Sequence, residues 1–285
     1  MTTGGGGGFA PDLLAGRRIL VTGGGTGLGR AMGERFLELG AGLAICGRRA
    51  EVLEEAAAEL GARHGTRVVT AACDLRDPAA VEAMLDAVGP LDVLVNNAAA
   101  NFLARTHLLS ARALDAVLGT TLHGAAYATI GCGRRWIEQR RGGVVLSVLT
   151  LSALQGGAFT VPSAMAKAGL LAMTQSLAVE WGRYGIRLVA IAPGSFPTEA
   201  ATARLRADPD GDPARGVPLG RTGTQRELAD LAAFLVSDLA AYITGECVVV
   251  DGGRRLLGGT RAGAEEMLGW GEAEWARQRA RTPAR

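Results

Sequence analysis

The chain has 285 residues, 48% of them hydrophobic, enough to bury one large core, and its regular alternation of strand and helix patterns favours one α/β domain over two. A formal charge of +2, with basic residues dispersed rather than striped with aromatics, excludes a nucleic-acid footprint and points to small-molecule chemistry. Cys46, Cys73, Cys132 and Cys247 have neither CxxC spacing nor His clusters, which argues against a metal site or a disulfide framework and fits reduced thiols in a cytoplasmic protein.

The opening stretch MTTGGGGGFAPDLLAG has no basic start and no apolar signal core, and no run reaches the roughly 18 apolar residues of a membrane span. Its consecutive glycines cannot bury enough side chain to offset their ordering entropy, so residues 1–12 are expected to be a flexible tail and 13–285 the folded domain. From Arg18 the pattern becomes regular. RILVT is followed by a helical stretch from Gly27 to Leu39, GLAIC by EVLEEAAAELGARH, RVVTAAC by PAAVEAMLDAV, and LDVLVNN by one long helix from Ser110 to Arg141. GVVLSVL, a helix from about Ser163 to Arg183, IRLVAIAP, QRELADLAAFLVS and ECVVVDGG complete the series. This alternation predicts a Rossmann-type doubly wound α/β domain, a seven-stranded parallel sheet with helices on both faces. The irregular segment near 194–223 reads as a substrate lid, and a helical extension follows DGG.

The first strand runs into VTGGGTGLGR, where glycines permit a tight turn close to a pyrophosphate and the next helix offers its first amides to the negative charge. The cradle candidates are Gly23, Gly25, Thr26, Gly27, Leu28 and Gly29. At the end of the second strand, where an acid would bind the ribose of NAD, stands CGRR. Arg48 there suits the 2′-phosphate of NADPH, although Arg48 and Arg49 also read as a solvated pair at a helix start. Among the 30 Lys and Arg residues there is one lysine, Lys167, in VPSAMAKAGL, and the count alone leaves chance retention open.

Taken with CDL at 73–75, NNAA at 96–99, APGSFPT at 192–198 and DGG at 251–253, the TGGGTGLG turn resembles the short-chain dehydrogenase/reductase family along almost the whole folded chain. The resemblance implies that Asp74 and Leu75 lie against the adenine, that Asn97 supports the cofactor strand, and that Pro193, Gly194 and Phe196 lie along the nicotinamide. Carbonyl-reducing members place a Tyr four residues before the Lys; here that position is Ser163, and the helix asparagine of the family falls on Thr121. A serine hydroxyl is too weak an acid to replace a phenol.

NNAAANFL at 96–103, FTVPSAMAKAG at 159–169 and LAVEWGRYGIR at 177–187 resemble the 2,4-dienoyl-CoA reductases of that family, which use Ser and Lys at that turn. Carried over, Asn101 donates to the substrate thioester oxygen, Lys167 holds the nicotinamide ribose, and Ser163 orders the bonds around it. Arg76, Phe102, Ser110 and Arg204 become candidate acyl-CoA contacts. Ser152 stands where the mitochondrial type has a second oxyanion donor, a Tyr. The expected activity is NADPH-dependent reduction of a conjugated enoyl or dienoyl thioester by a homotetramer built partly on the two long helices. A natural-product enone reductase, a non-redox isomerase or cyclase and a cofactor-binding scaffold stay open. So do plainer roles for Asn101 as a loop cap, for Phe102 as core, and for Arg76 and Arg204 as solvated charges. His64 and His107 read as surface residues, and His123 as a core, interface or catalytic residue.

Overall fold

The computed structural model describes residues 8–198, 211–257 and 264–280. Seven strands, β1 (Arg18–Thr22), β2 (Gly42–Gly47), β3 (Val69–Ala72), β4 (Val93–Asn96), β5 (Gly143–Val148), β6 (Ile186–Pro193) and β7 (Cys247–Val250), form one sheet in the order β3-β2-β1-β4-β5-β6-β7. Every pairing is parallel. The central strands are apolar on both faces because helices cover both sides, which is why they read as continuous apolar runs. On one face pack α1 (Gly27–Glu38), α2 (Ala50–His64) and α8 (Gln225–Val236), with Phe36, Ile45, Leu60 and Leu228 fully buried between them and the sheet. The other face carries α3 (Pro78–Val88), α5 (Gly124–Glu138) and α7 (Val161–Trp181), around Leu94, Leu85 and Trp136.

Local chemistry sets the helix starts. Asp77 Oδ1 accepts from Ala79 N at 2.9 Å with Pro78 at the first helical position, and Thr224 and Glu227 close a reciprocal capping box on α8. Buried Arg35 ties α1 to α8 through Asp230 at 2.6 Å and holds Glu38 at 2.8 Å.

Two expectations change. The ring of Phe9 lies against the Arg35 guanidinium, 5.8 Å from its centroid, and packs on the core, so the chain is engaged before residue 13. The single helix expected from Ser110 to Arg141 is α4 (Ala111–Leu118) and α5 joined by a wider π-helical turn, Gly119–His123. The lid expected near 194–223 is described only at its ends, and the C-terminal extension comprises α9 (Arg254–Leu257), α10 (Ala264–Met267) and α11 (Glu272–Ala280).

Candidate active site

Strand order reverses between β1 and β4, opening a crevice at their C-terminal ends, where open α/β sheets bind ligands. Thr22 closes the floor of that crevice. Its buried hydroxyl donates to Val95 O at 3.2 Å and accepts from the backbone amides of Asn97 and Ala98, each at 3.0 Å. Asn97 Nδ2 donates to Thr22 O at 2.9 Å and to Gly23 O at 3.3 Å, so its side chain supports the turn from behind. Gly23 (φ +66°) and Gly27 (φ +55°) occupy the left-handed region that favours glycine. A Cβ on Gly29 would sit 2.6 Å from Gly23 O. Thr26 makes no side-chain cap on α1, and its first turn holds no acid, so the leading amides are open to an external anion. This cradle fits a dinucleotide pyrophosphate.

At the ends of β2 and β3, exposed Arg48 stands near the pair formed by Asp74 and Arg76. Arg76 Nε lies 3.0 Å from both carboxylate oxygens, and Nη2 lies 2.5 Å from Oδ2. These bonds, with weaker help from the charge of Arg48, hold the Asp74 carboxyl at about 2. Arg76, expected against the acyl-CoA, is thus paired with Asp74 just beyond β3. Leu75 is buried beneath α5, where a Cβ on Gly124 would meet its side chain at 2.6 Å; only its backbone can face a ligand.

The second half of the crevice lies past β4 and β5. Lys167 is 3% exposed and donates from Nζ to Val148 O, the last carbonyl of β5, at 2.5 Å. Burial lowers its pKa from 10.5 to about 8. One helical turn earlier lies buried Ser163, with no phenol in its place. Thr121, fully buried in the π-helical turn, accepts from Ala100 N at 3.0 Å and so fixes the loop leading to Asn101. Asn101 accepts at Oδ1 from Phe102 N at 2.9 Å, which orients the carboxamide and leaves its NH2 end as a donor. Ser152, at the start of α6 (Ser152–Gln155), has its hydroxyl 2.6 Å from that of Thr150. Thr150 is a site residue that the motifs do not announce, and Thr22, the first residue of the TGGGTGLG turn, shows its role only through these bonds.

The remaining candidates divide. Pro193 ends β6, and Gly194 N donates to Val250 O at 2.9 Å, with Asp251 so near that a Cβ on Gly194 would lie 2.6 Å from Asp251 Cβ. Phe196, expected along the nicotinamide, turns its ring inward against Gly223 and joins the core, leaving only its backbone for that role. Ser110 caps α4, accepting from Ala113 N at 3.2 Å, so its hydroxyl serves the helix start. Phe102 is half-buried, and Arg204 lies outside the described residues. His64 lies 3.6 Å from Glu34 on α1, His107 is exposed, and the exposed His123 ring centroid is 6.3 Å from that of Tyr127. Among the described residues no group of His, Cys, Asp or Glu is placed to hold a metal ion, and no helix is long and apolar enough to cross a membrane.

A glycine cradle at the switch point, an anion-ready helix start and a buried lysine beside the end of β5 define a dinucleotide-binding α/β oxidoreductase. The chain belongs to the short-chain dehydrogenase/reductase family: the family model described as enoyl-(acyl carrier protein) reductase matches residues 23–255. It is 42% identical over 274 residues to an uncharacterized oxidoreductase of Caenorhabditis elegans, covering 93% of this chain and 88% of that one. A Bacillus subtilis protein named a probable 2,4-dienoyl-CoA reductase is 41% identical over 84% of this chain and 97% of its own. Among solved structures, an Agrobacterium tumefaciens protein with bound NADP is 34% identical with a TM-score of 0.78, covering 86% of this chain and 98% of that one.

Proposed function

We propose that this oxidoreductase reduces a conjugated enoyl or dienoyl thioester, most simply a 2,4-dienoyl-CoA, with NADPH. The observation that carries the reading is the pairing of an oriented Asn101 donor with a buried Lys167 that has Ser163, not Tyr, one turn before it. Carbonyl reduction requires an acid at the carbonyl oxygen of the carbon that receives hydride. Conjugate reduction does not: its negative charge develops on the distant thioester oxygen and is met by hydrogen-bond donors aimed there.

The residues fit that task. NADPH, when bound, supplies the hydride; the 23–29 turn would hold its pyrophosphate, Arg48 its 2′-phosphate, and Lys167 its nicotinamide ribose. Asn101 donates through Nδ2 to the thioester oxygen, and the Thr150–Ser152 hydroxyl pair offers a second donor in place of a phenol. Lys167, fixed by Val148 O, adds positive potential without taking part in proton transfer. The proton that completes reduction reaches the carbon chain from solvent.

Cysteines 46, 73, 132 and 247 are all free, and the first three are buried, in keeping with a reducing cytoplasm. The exposed side of α7 carries Met165, Ala168, Ala172, Gln175, Ser176 and Val179, with Glu180 in its last turn as its one charge, and this long uncharged stretch supports the homotetramer reading. Light scattering at micromolar concentration is expected to show the tetramer, and a monomer alone would refute it.

The direct test of the activity is single-turnover NADPH oxidation with a panel of dienoyl-CoA esters. Oxidation that requires the conjugated ester supports the reading. Tight NADPH binding with no oxidation by any enone transfers the site to a non-redox or scaffold role.

A further inference from the structure

Phe159 combines three features that do not ordinarily coincide. Its backbone adopts φ +62°, in the left-handed region that a bulky residue occupies only when the surroundings impose it. Its side chain is nevertheless 60% exposed, so no core packing explains the aromatic ring. Its carbonyl accepts from Ala104 N at 2.9 Å, joining the loop that precedes α7 to the loop that carries Asn101.

The same loop reaches the other proposed donor. A Cβ on Gly157 would lie 2.8 Å from Ser152 Cβ, so the segment before Phe159 lies directly on Ser152. Leu103, beside the bonded Ala104, and Leu154, two residues beyond Ser152, are also exposed. Three exposed apolar side chains thus belong to the two segments that hold Asn101 and Ser152.

We propose that Phe159, with Leu103 and Leu154, forms an apolar collar for the hydrocarbon tail of the acyl thioester, and that Phe159 determines chain-length preference. The inference rests on the thioester reading above. With the thioester oxygen between Asn101 and Ser152, the reacting carbons lie in the crevice, and a longer apolar tail runs out between the two joined loops. Full burial of one methylene raises affinity about fourfold, so a partly open collar should give about twofold per methylene.

The test is calorimetric binding of saturated hexanoyl-CoA and decanoyl-CoA, which cannot be reduced, to the full chain with NADPH present. Wild type, Phe159→Gly and Phe159→Asn are compared. Gly and Asn both accept the positive φ, so the loop keeps its path while the ring is lost. Wild type should prefer decanoyl-CoA about 16-fold, four methylenes at about twofold each. Both variants should fall to about threefold or less, with hexanoyl-CoA affinity little changed. Equal preference in all three proteins overturns the collar. So does a variant that changes the assembly in light scattering while keeping the preference, because the ring then belongs to a subunit contact. Dienoyl-CoA turnover with no Phe159-dependent preference refutes the collar and leaves the reductase reading standing. A Phe159-dependent preference without dienoyl reduction does the reverse, and failure of any acyl-CoA to bind refutes both.

Discussion

Lys167 donates to the carbonyl of Val148, so the chain's one ammonium is fastened to the C-terminal end of β5. This bond explains why a long, flexible side chain can stand as a fixed charge. It also commits one ammonium hydrogen and leaves two for a ligand.

The first prediction concerns pH. Burial lowers the Lys167 pKa from 10.5 to about 8, so between those values the unfolded chain binds a proton that the folded chain has released. Stability contributed by this group therefore rises as pH climbs from about 8 to about 10.5 and is lost as pH falls through about 8. Relative to Lys167→Met, the cofactor-free wild type should gain about 3 kcal/mol across that window, at about 1.4 kcal/mol per tenfold. Urea unfolding of both proteins at pH 7 and pH 10.5 measures it; a constant difference would show that the ammonium is not desolvated.

The second prediction concerns the cradle. Gly29→Ala would place a methyl 2.6 Å from Gly23 O and against the Asn97 amide that holds the turn. Such overpacking costs about 1 to 3 kcal/mol, and the displaced turn should lower NADPH affinity by about tenfold or more. A thermal unfolding curve and a fluorescence titration report the two effects separately. Unchanged cofactor affinity would remove residues 23–29 from the pyrophosphate site.

Much of this arrangement is legible in the sequence, because buried parallel strands read as apolar runs and positive-φ turns demand glycine. RILVT and LDVLVNN mark their strands for that reason, and Gly23 and Gly27 mark the crevice. The π-helical turn at Gly119–His123 is not legible: no proline enforces it, and it accompanies the tertiary bond between Thr121 and Ala100. Phe9 is missed because one aromatic anchors a segment whose composition otherwise predicts no order. Thr22 and Thr150 look like ordinary strand residues until register brings their hydroxyls to the crevice. Phe196 shows what a motif leaves open, since its position fixes the backbone but not the direction of the ring.

The third prediction concerns cofactor choice. Arg48 is exposed at the end of β2, and Asp74, the nearby acid, is already neutralised by Arg76. NADPH should therefore bind more tightly than NADH, and Arg48→Asp should reduce that preference by about tenfold or more, the scale of losing one bidentate charged contact and adding a repulsive one. Equal affinities of the unmodified protein for both cofactors would refute the assignment.

The last prediction separates a reductase from a scaffold. Lys167→Arg keeps the charge, but a planar guanidinium cannot take the ammonium's place against Val148 O in a site only 3% exposed. Turnover should fall about 100-fold or more, and NADPH affinity should fall less. Asn101→Ala removes a donor that acts on substrate charge, so turnover should drop by about 100- to 1,000-fold with NADPH binding nearly unchanged. Ser152→Tyr should raise dienoyl reduction by supplying from the same segment the phenol donor that the chain lacks there. Single-turnover NADPH oxidation with dienoyl-CoA esters, run beside cofactor titrations for all four proteins, tests the set. If the wild type is active and Lys167→Arg and Asn101→Ala match it, then the negative charge develops elsewhere and the two residues serve only the loop and helix that hold them.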